Sequence, residues 1–113
     1  MRIRSVLQEF EAKLEPNSAL HCPGARGKAE WKLYADGTRR GKVSISRLDL
    51  IDGTVLDLVV DGCRIAELVV EGKLARYRRE SERGELVPSV GVDQVIQVIH
   101  AGRVILEGRF YAE

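Results

Sequence analysis

The chain has 113 residues, with 18 lysines and arginines against 17 aspartates and glutamates, for a formal net charge of +1. That length suits one domain with its own core, and 44 % hydrophobic with 31 % charged residues is the balance of a folded globule, not of a disordered segment. A charge so near zero excludes a whole-molecule field that would gather nucleic acid or an anionic membrane, so any charge-driven binding has to be local.

The first residues, Met1 to Leu7, hold Arg2 and Arg4 and no continuous apolar region of the kind a secretory leader needs. The longest apolar runs, such as Leu58-Val59-Val60, fall far short of the ~20 residues that cross a bilayer. The expectation is a cytoplasmic protein that does not touch the membrane. In a reducing compartment Cys22 and Cys63, far apart in the chain, are expected as free thiols.

In chain order, Ile3, Val6, Leu7, Phe10 and Leu14 recur at spacings of three and four, which predicts an amphipathic helix over residues 1–15. Ser5 with Gln8 supplies a capping box and Pro16 stops the helix. So short a helix is marginal alone in water, and its stripe of Val6, Leu7, Phe10 and Leu14 is expected to lie on the body of the fold or on a second subunit. Residues 16–27, with Pro16, Asn17, Pro23, Gly24 and Gly27, read as a linker.

From residue 28 the period changes to two, and 28–113 reads as the β domain. Ala29, Trp31 and Leu33 alternate with Lys28, Glu30 and Lys32, and Asp36-Gly37 supplies a hairpin turn of type I′. Val43 and Ile45 fall out of phase with Leu48 and Leu50, so a bulge is expected near Ser46-Arg47. Turns at Asp52-Gly53, Asp61-Gly62 and Glu71-Gly72 separate three further strands, and residues 80–91 form a loop. Ala101-Gly102 joins strands around Val95–Ile99 and Val104–Phe110, with Gly108 marking a bulge or a close approach. The fold class is mainly β: an antiparallel sandwich or small barrel of about seven strands with one N-terminal helix. In general outline the body resembles small bacterial β-sandwich modules, without the motif of a named family.

Chemistry-bearing residues are sparse. His21, Cys22, Cys63 and His100 have the arithmetic of a zinc site but not its paired spacing, and the aspartates near turns lack the calcium-loop order. Gly24–Lys28 and Gly37–Lys42 miss the phosphate-loop pattern. No metal and no cofactor are expected. The most unusual feature is the basic group Arg76, Arg78, Arg79 and Arg83 around Tyr77, with Glu80, Glu82 and Glu85 interleaved. On a strand Arg76 and Arg78 share one face while Tyr77 and Arg79 share the other. Arg39, Arg40 and Lys42 extend the group only if their strand lies beside it.

The leading expectation is a non-enzymatic β-sandwich module for protein interaction, working as a homodimer. The alternative is binding of an anionic ligand or single-stranded nucleic acid through Arg76, Tyr77, Arg78, Arg79 and Arg83, with the interleaved glutamates arguing against nucleic acid. A third reading is a small enzyme that uses His100 with Glu107 and Tyr111 nearby; the balance leans away from an enzyme.

Overall fold

A computed structural model of the chain describes residues 5–17 and 22–113. Nine strands run in the order β1 (Val6–Pro16), β2 (Arg26–Tyr34), β3 (Arg39–Ser46), β4 (Val55–Val60), β5 (Cys63–Val69), β6 (Ala75–Glu80), β7 (Val95–His100), β8 (Arg103–Arg109) and β9 (Tyr111–Ala112), with a 3-10 turn at Ser81–Arg83. Eight of them form one antiparallel sheet in the order β5-β4-β7-β8-β1-β2-β3-β6, and β9 pairs with β1. The turn from β5 to β6, held by the Glu71–Leu74 bridge, brings the two ends of that sheet together. The result is a nearly closed antiparallel barrel.

The described part of the expected N-terminal helix is a strand, and Met1–Arg4 lie outside the described residues. Residues 9–16 of β1 alternate Glu9, Glu11, Lys13 and Glu15 outward with Phe10, Ala12 and Leu14 inward, and Ala12 and Leu14 are fully buried. Helical spacing appears only if Ala12 is left out of the apolar set; once it is counted, the period is two. Tertiary pairing then decides the matter, because β1 has β2 along its length, β9 at Phe10 and Glu11, and β8 at Glu15 and Pro16. The expected linker over 16–27 also shrinks, since Arg26 and Gly27 already belong to β2 and both Cys22 and Ala25 are buried. Among the described residues the β body therefore already includes Val6–Pro16, ahead of the expected start at residue 28.

Inward residues form rows across the barrel. Phe10, Trp31 and Gly41 face one another on β1, β2 and β3; Ala12, Ala29, Val43 and Tyr77 make the next row, and Leu14, Gly27, Ile45 and Ala75 the one after. Large residues stand beside small ones in these rows, as Trp31 beside Gly41 and Tyr77 in line with Val43, Ala29 and Ala12. Gly41 is required by its neighbour, as a Cβ there would stand 2.7 Å from the Trp31 ring. The other half contributes Leu56, Leu58, Ile96, Val98 and Leu106, all fully buried, each stabilising the fold by about 1.5–3 kcal/mol in transfer terms.

Register shifts fall between Leu58 and Val59 on the β4–β5 pair and between Val98 and Ile99 on β7–β8. The second explains why neighbouring Ile105 and Leu106 are both buried, as an extra residue on one strand breaks the alternation. Gly108 stays in register with Ile96. It is a close approach, its missing Cβ lying 2.2 Å from the Lys13 carbonyl oxygen where β1 crosses to β8.

The turns fall where expected, with one change of type. Asp61-Gly62 and Ala101-Gly102 both have positive φ, as type I′ demands. At Asp36-Gly37 only Gly37 does; the Gly37 N–H donates to the Tyr34 carbonyl and the Tyr34 N–H to the Thr38 carbonyl. That is a type I turn closed by a left-handed glycine. The phase change after Ile45 is made by Arg47, left-handed at φ 58° just past the end of β3, which turns Leu48 back into the core.

Candidate functional site

β6 divides the expected arginine group in two. Tyr77 points inward, 3 % exposed, with its ring stacked on Trp31 at 5.7 Å between centroids. Burial pushes its hydroxyl above the ordinary tyrosine value, the Arg79 charge opposing and Glu85 adding to the rise. Arg79 lies over the same ring at 5.3 Å, donates to the Arg78 carbonyl at 2.8 Å and reaches Glu85 at 3.9 Å. Arg83 pairs with the buried carboxylate of Glu80 at 3.3 Å. Tyr77, Arg79 and Arg83 are thus committed to holding the end of β6, and Tyr77 has no ring face left on which a base could stack.

Arg76 and Arg78 point outward, and β3 lies beside β6, so the condition set by the sequence is met for Arg40 and Lys42. Arg39, one residue away, takes the inward phase instead. The register sets Lys42 directly opposite Arg78, Ser44 opposite Arg76 and Arg40 opposite Glu80. Like charges facing across a strand pair are destabilising. Arg78 has partial relief from Glu80 at 3.7 Å; among the described residues Arg40, Lys42 and Arg76 have no carboxylate within ion-pair distance. Along Lys42 and Arg76 runs a groove of about 590 Å³ whose walls include Lys42, Ser44, Ser46, Leu74, Arg76 and Arg78. Three cations and two hydroxyls on one outer face make a surface that accepts carboxylate or phosphate oxygens.

The outer face of β1 and β2 also sets like charges opposite each other, Glu11 to Glu30 and Lys13 to Lys28, but it ties its β2 lysines to glutamates. Lys28 sits 3.2 Å from Glu11 and 3.1 Å from Glu30, and Lys32 is 3.6 Å from Glu9. Glu30 first, then Glu11, hold the Lys28 ammonium above its ordinary value. Glu11 is itself held below the usual carboxylate range, chiefly by its hydrogen bond with Glu113 and further by Lys28, against the opposing effect of burial. Glu113 moves upward in return.

The remaining sequence candidates are dispersed. The stripe of Val6, Leu7, Phe10 and Leu14 does not exist as a surface: Leu14 is 1 % exposed in the core and Phe10 turns inward, while Val6 and Leu7 are 46 % and 65 % exposed. His100 pairs with Arg103 at a hairpin end, three rungs from Glu107, which accepts a hydrogen bond from Gln97 at 2.7 Å. Tyr111 stands on another strand pair, opposite Glu11. The three therefore do not gather. Cys22 is buried and Cys63 exposed, both as free thiols; His21 lies outside the described residues. Two aspartates of the turn set act as caps, Asp52 accepting from the Gly72 N–H at 3.0 Å and Asp61 from the Val95 N–H at 2.7 Å.

What the sequence missed is the pairing of Lys42 with Arg78, because register between strands separated by some thirty residues is not written in local spacing. These features define a small, nearly closed antiparallel β-barrel with a basic outer strip on β3 and β6. No protein-family model matches the chain, and no curated protein matches it. Among the described residues no helix is long and apolar enough to cross a membrane.

Proposed function

We propose that the chain is a non-enzymatic binding module whose working surface is the outer face of β3 and β6, and that it takes an acidic segment of a partner protein. The observation that carries this reading is the Lys42–Arg78 opposition, with Arg40 and Arg76 beside it lacking carboxylate partners among the described residues. A strip that keeps like charges together instead of interleaving them is relieved when an anion arrives. The burial of Tyr77 favours carboxylates over nucleic acid, since stacking is what single-stranded recognition adds to phosphate contact. Free Cys22 and Cys63 suit the reducing compartment expected for such a module.

The test is a titration with a fluorescein-labelled oligoglutamate peptide across a series of salt concentrations, beside a labelled single-stranded oligonucleotide. Binding of the peptide is expected to weaken steeply with salt. The double substitution Arg76→Gln with Lys42→Gln is expected to lower its affinity by about tenfold or more. Peptide binding that is absent at low salt, or untouched by the double substitution, overturns the reading; tighter binding of the oligonucleotide replaces the partner class.

A second reading, homodimerisation, is favoured by one observation. Val55 and Val69 face each other across β4 and β5, each 50 % exposed, with exposed Leu74 near the same end of the sheet. Sedimentation at micromolar concentration tests it, a monomer that Val69→Lys leaves unchanged being the outcome that removes it.

A further inference from the structure

A second cavity, of about 260 Å³, opens at the end of the barrel next to the β2–β3 hairpin and has no part in the basic strip. Its construction follows from the inward rows. Gln8 faces Leu33 and Leu33 faces Arg39 across β1, β2 and β3, one row beyond Phe10, Trp31 and Gly41. Gln8 and Arg39, on either side of Leu33, thus stand at the mouth over the Phe10–Trp31 pair. The loop after β6 supplies the opposite wall with Ser89 and Val90, and it is fixed there because the Trp31 indole N–H donates to the Pro88 carbonyl at 2.9 Å.

Arg39 is the unusual member. An inward-phase arginine at a barrel end is expensive unless something anionic answers it. Its backbone N–H donates to the Ser81 hydroxyl at 2.7 Å, but among the described residues no carboxylate lies within ion-pair distance of its guanidinium. Lys32, also at the rim, is already paired with Glu9 at 3.6 Å. The cavity therefore offers one uncommitted planar cation above an apolar floor of Phe10, Trp31 and Val90. Barrel mouths with apolar linings and a few convergent polar groups are common small-molecule sites, and this one falls at the small end of their range.

We propose that this mouth binds a small organic carboxylate, its ring or branched apolar end lying against Phe10, Trp31 and Val90 and its carboxylate taken by Arg39. Guanidinium and carboxylate match in plane and spacing, so the acid is preferred over its neutral amide. The site is independent of the β3–β6 strip.

The chain has one tryptophan, so Trp31 reports on its own pocket. Titration with phenylacetate is expected to change its emission saturably in the millimolar range, with phenylacetamide about tenfold weaker. Arg39→Gln is expected to erase that difference while leaving the unfolding midpoint close to that of the parent. Amide chemical shifts on adding phenylacetate are expected to move at Gly37, Arg39 and Val90. The proposal is overturned by no saturable change up to about 10 mM phenylacetate, by equal affinity for acid and amide, or by shifts centred on Lys42 and Arg76, which place the anion on the outer strip instead. The acid–amide comparison uses the unaltered protein, so a variant that folds poorly leaves the test intact.

Discussion

The outer faces of β1–β2 and β3–β6 belong to one continuous sheet and both set like charges opposite each other, Glu11 to Glu30 and Lys13 to Lys28 on the first and Lys42 to Arg78 on the second, yet they differ in how those charges are answered. On the first, every lysine of β2 is matched by a glutamate within 3.6 Å. On the second, Lys42 meets Arg78, and Arg40 and Arg76 stand without carboxylate partners among the described residues. The first arrangement is what a solvated strand face needs for its own cohesion. The second gives up local stability for a surface potential, and such concessions concentrate where a protein works.

Four changes break or sharpen this contrast. The largest effect is expected at Gly108, which anchors the β1 side: a Cβ 2.2 Å from the Lys13 carbonyl oxygen meets backbone that cannot move without unseating β1 from β8. Gly108→Ala is expected to cost about 3 kcal/mol, read from the denaturant midpoint. Next is Gly41→Ala, whose methyl group would press on a Trp31 ring pinned by Pro88. A loss of about 1–3 kcal/mol is expected, together with a shift in tryptophan emission, because β3 has no slack on its inner side.

A smaller effect with the opposite sign is expected on the outer side of the same strand. Lys42→Glu turns the facing like charges into an opposite pair and should raise stability by about 0.5 kcal/mol while abolishing binding of the oligoglutamate peptide. Gain of stability with loss of binding is the signature of a functional concession; a loss of stability would show that Lys42 serves the fold. The smallest change is at the acid pair. Glu113 has its value raised by Glu11, so the stability it lends is complete below the ordinary carboxylate value and is lost as pH climbs through the raised one. Glu11 is lowered, so its contribution is present above that ordinary value and disappears on acidification through the lowered one. The pair is therefore at its best with one proton shared, near the ordinary carboxylate range. Glu113→Gln, which keeps a donor, is expected to gain stability relative to the parent between about pH 4.5 and pH 7, seen as converging midpoints at the acid end and separated ones at neutrality.

Much of the architecture was legible in the residues because alternation and turn chemistry are local. The turns at Gly53, Gly62, Gly72 and Gly102 all carry the positive φ that their sequence contexts announce. β1 reads as a helix for an equally local reason: Ala12 is a weak apolar signal, and without it Phe10 and Leu14 look one helical turn apart. Of the candidate surface, the opposite facing of Arg76 and Arg78 from Tyr77 and Arg79 follows from period two alone. The partnership with Lys42 does not, being fixed by strand register. Neither does the mouth cavity, whose floor comes from Phe10 and Trp31, partners on β1 and β2, and whose far wall comes from Val90 in the distant loop after β6.

β1 is the strand shared by both halves of the barrel, pairing with β2 on one side and with β8 and β9 on the other. As the polypeptide leaves the ribosome, β1 and β2 can form a ribbon early, but the remaining edge of β1 must wait for Arg103–Ala112 to be synthesised. Until then the ribbon keeps an unpaired edge in a crowded cell, so the interval between making β2 and making β8 is when this protein is most exposed to intermolecular strand pairing.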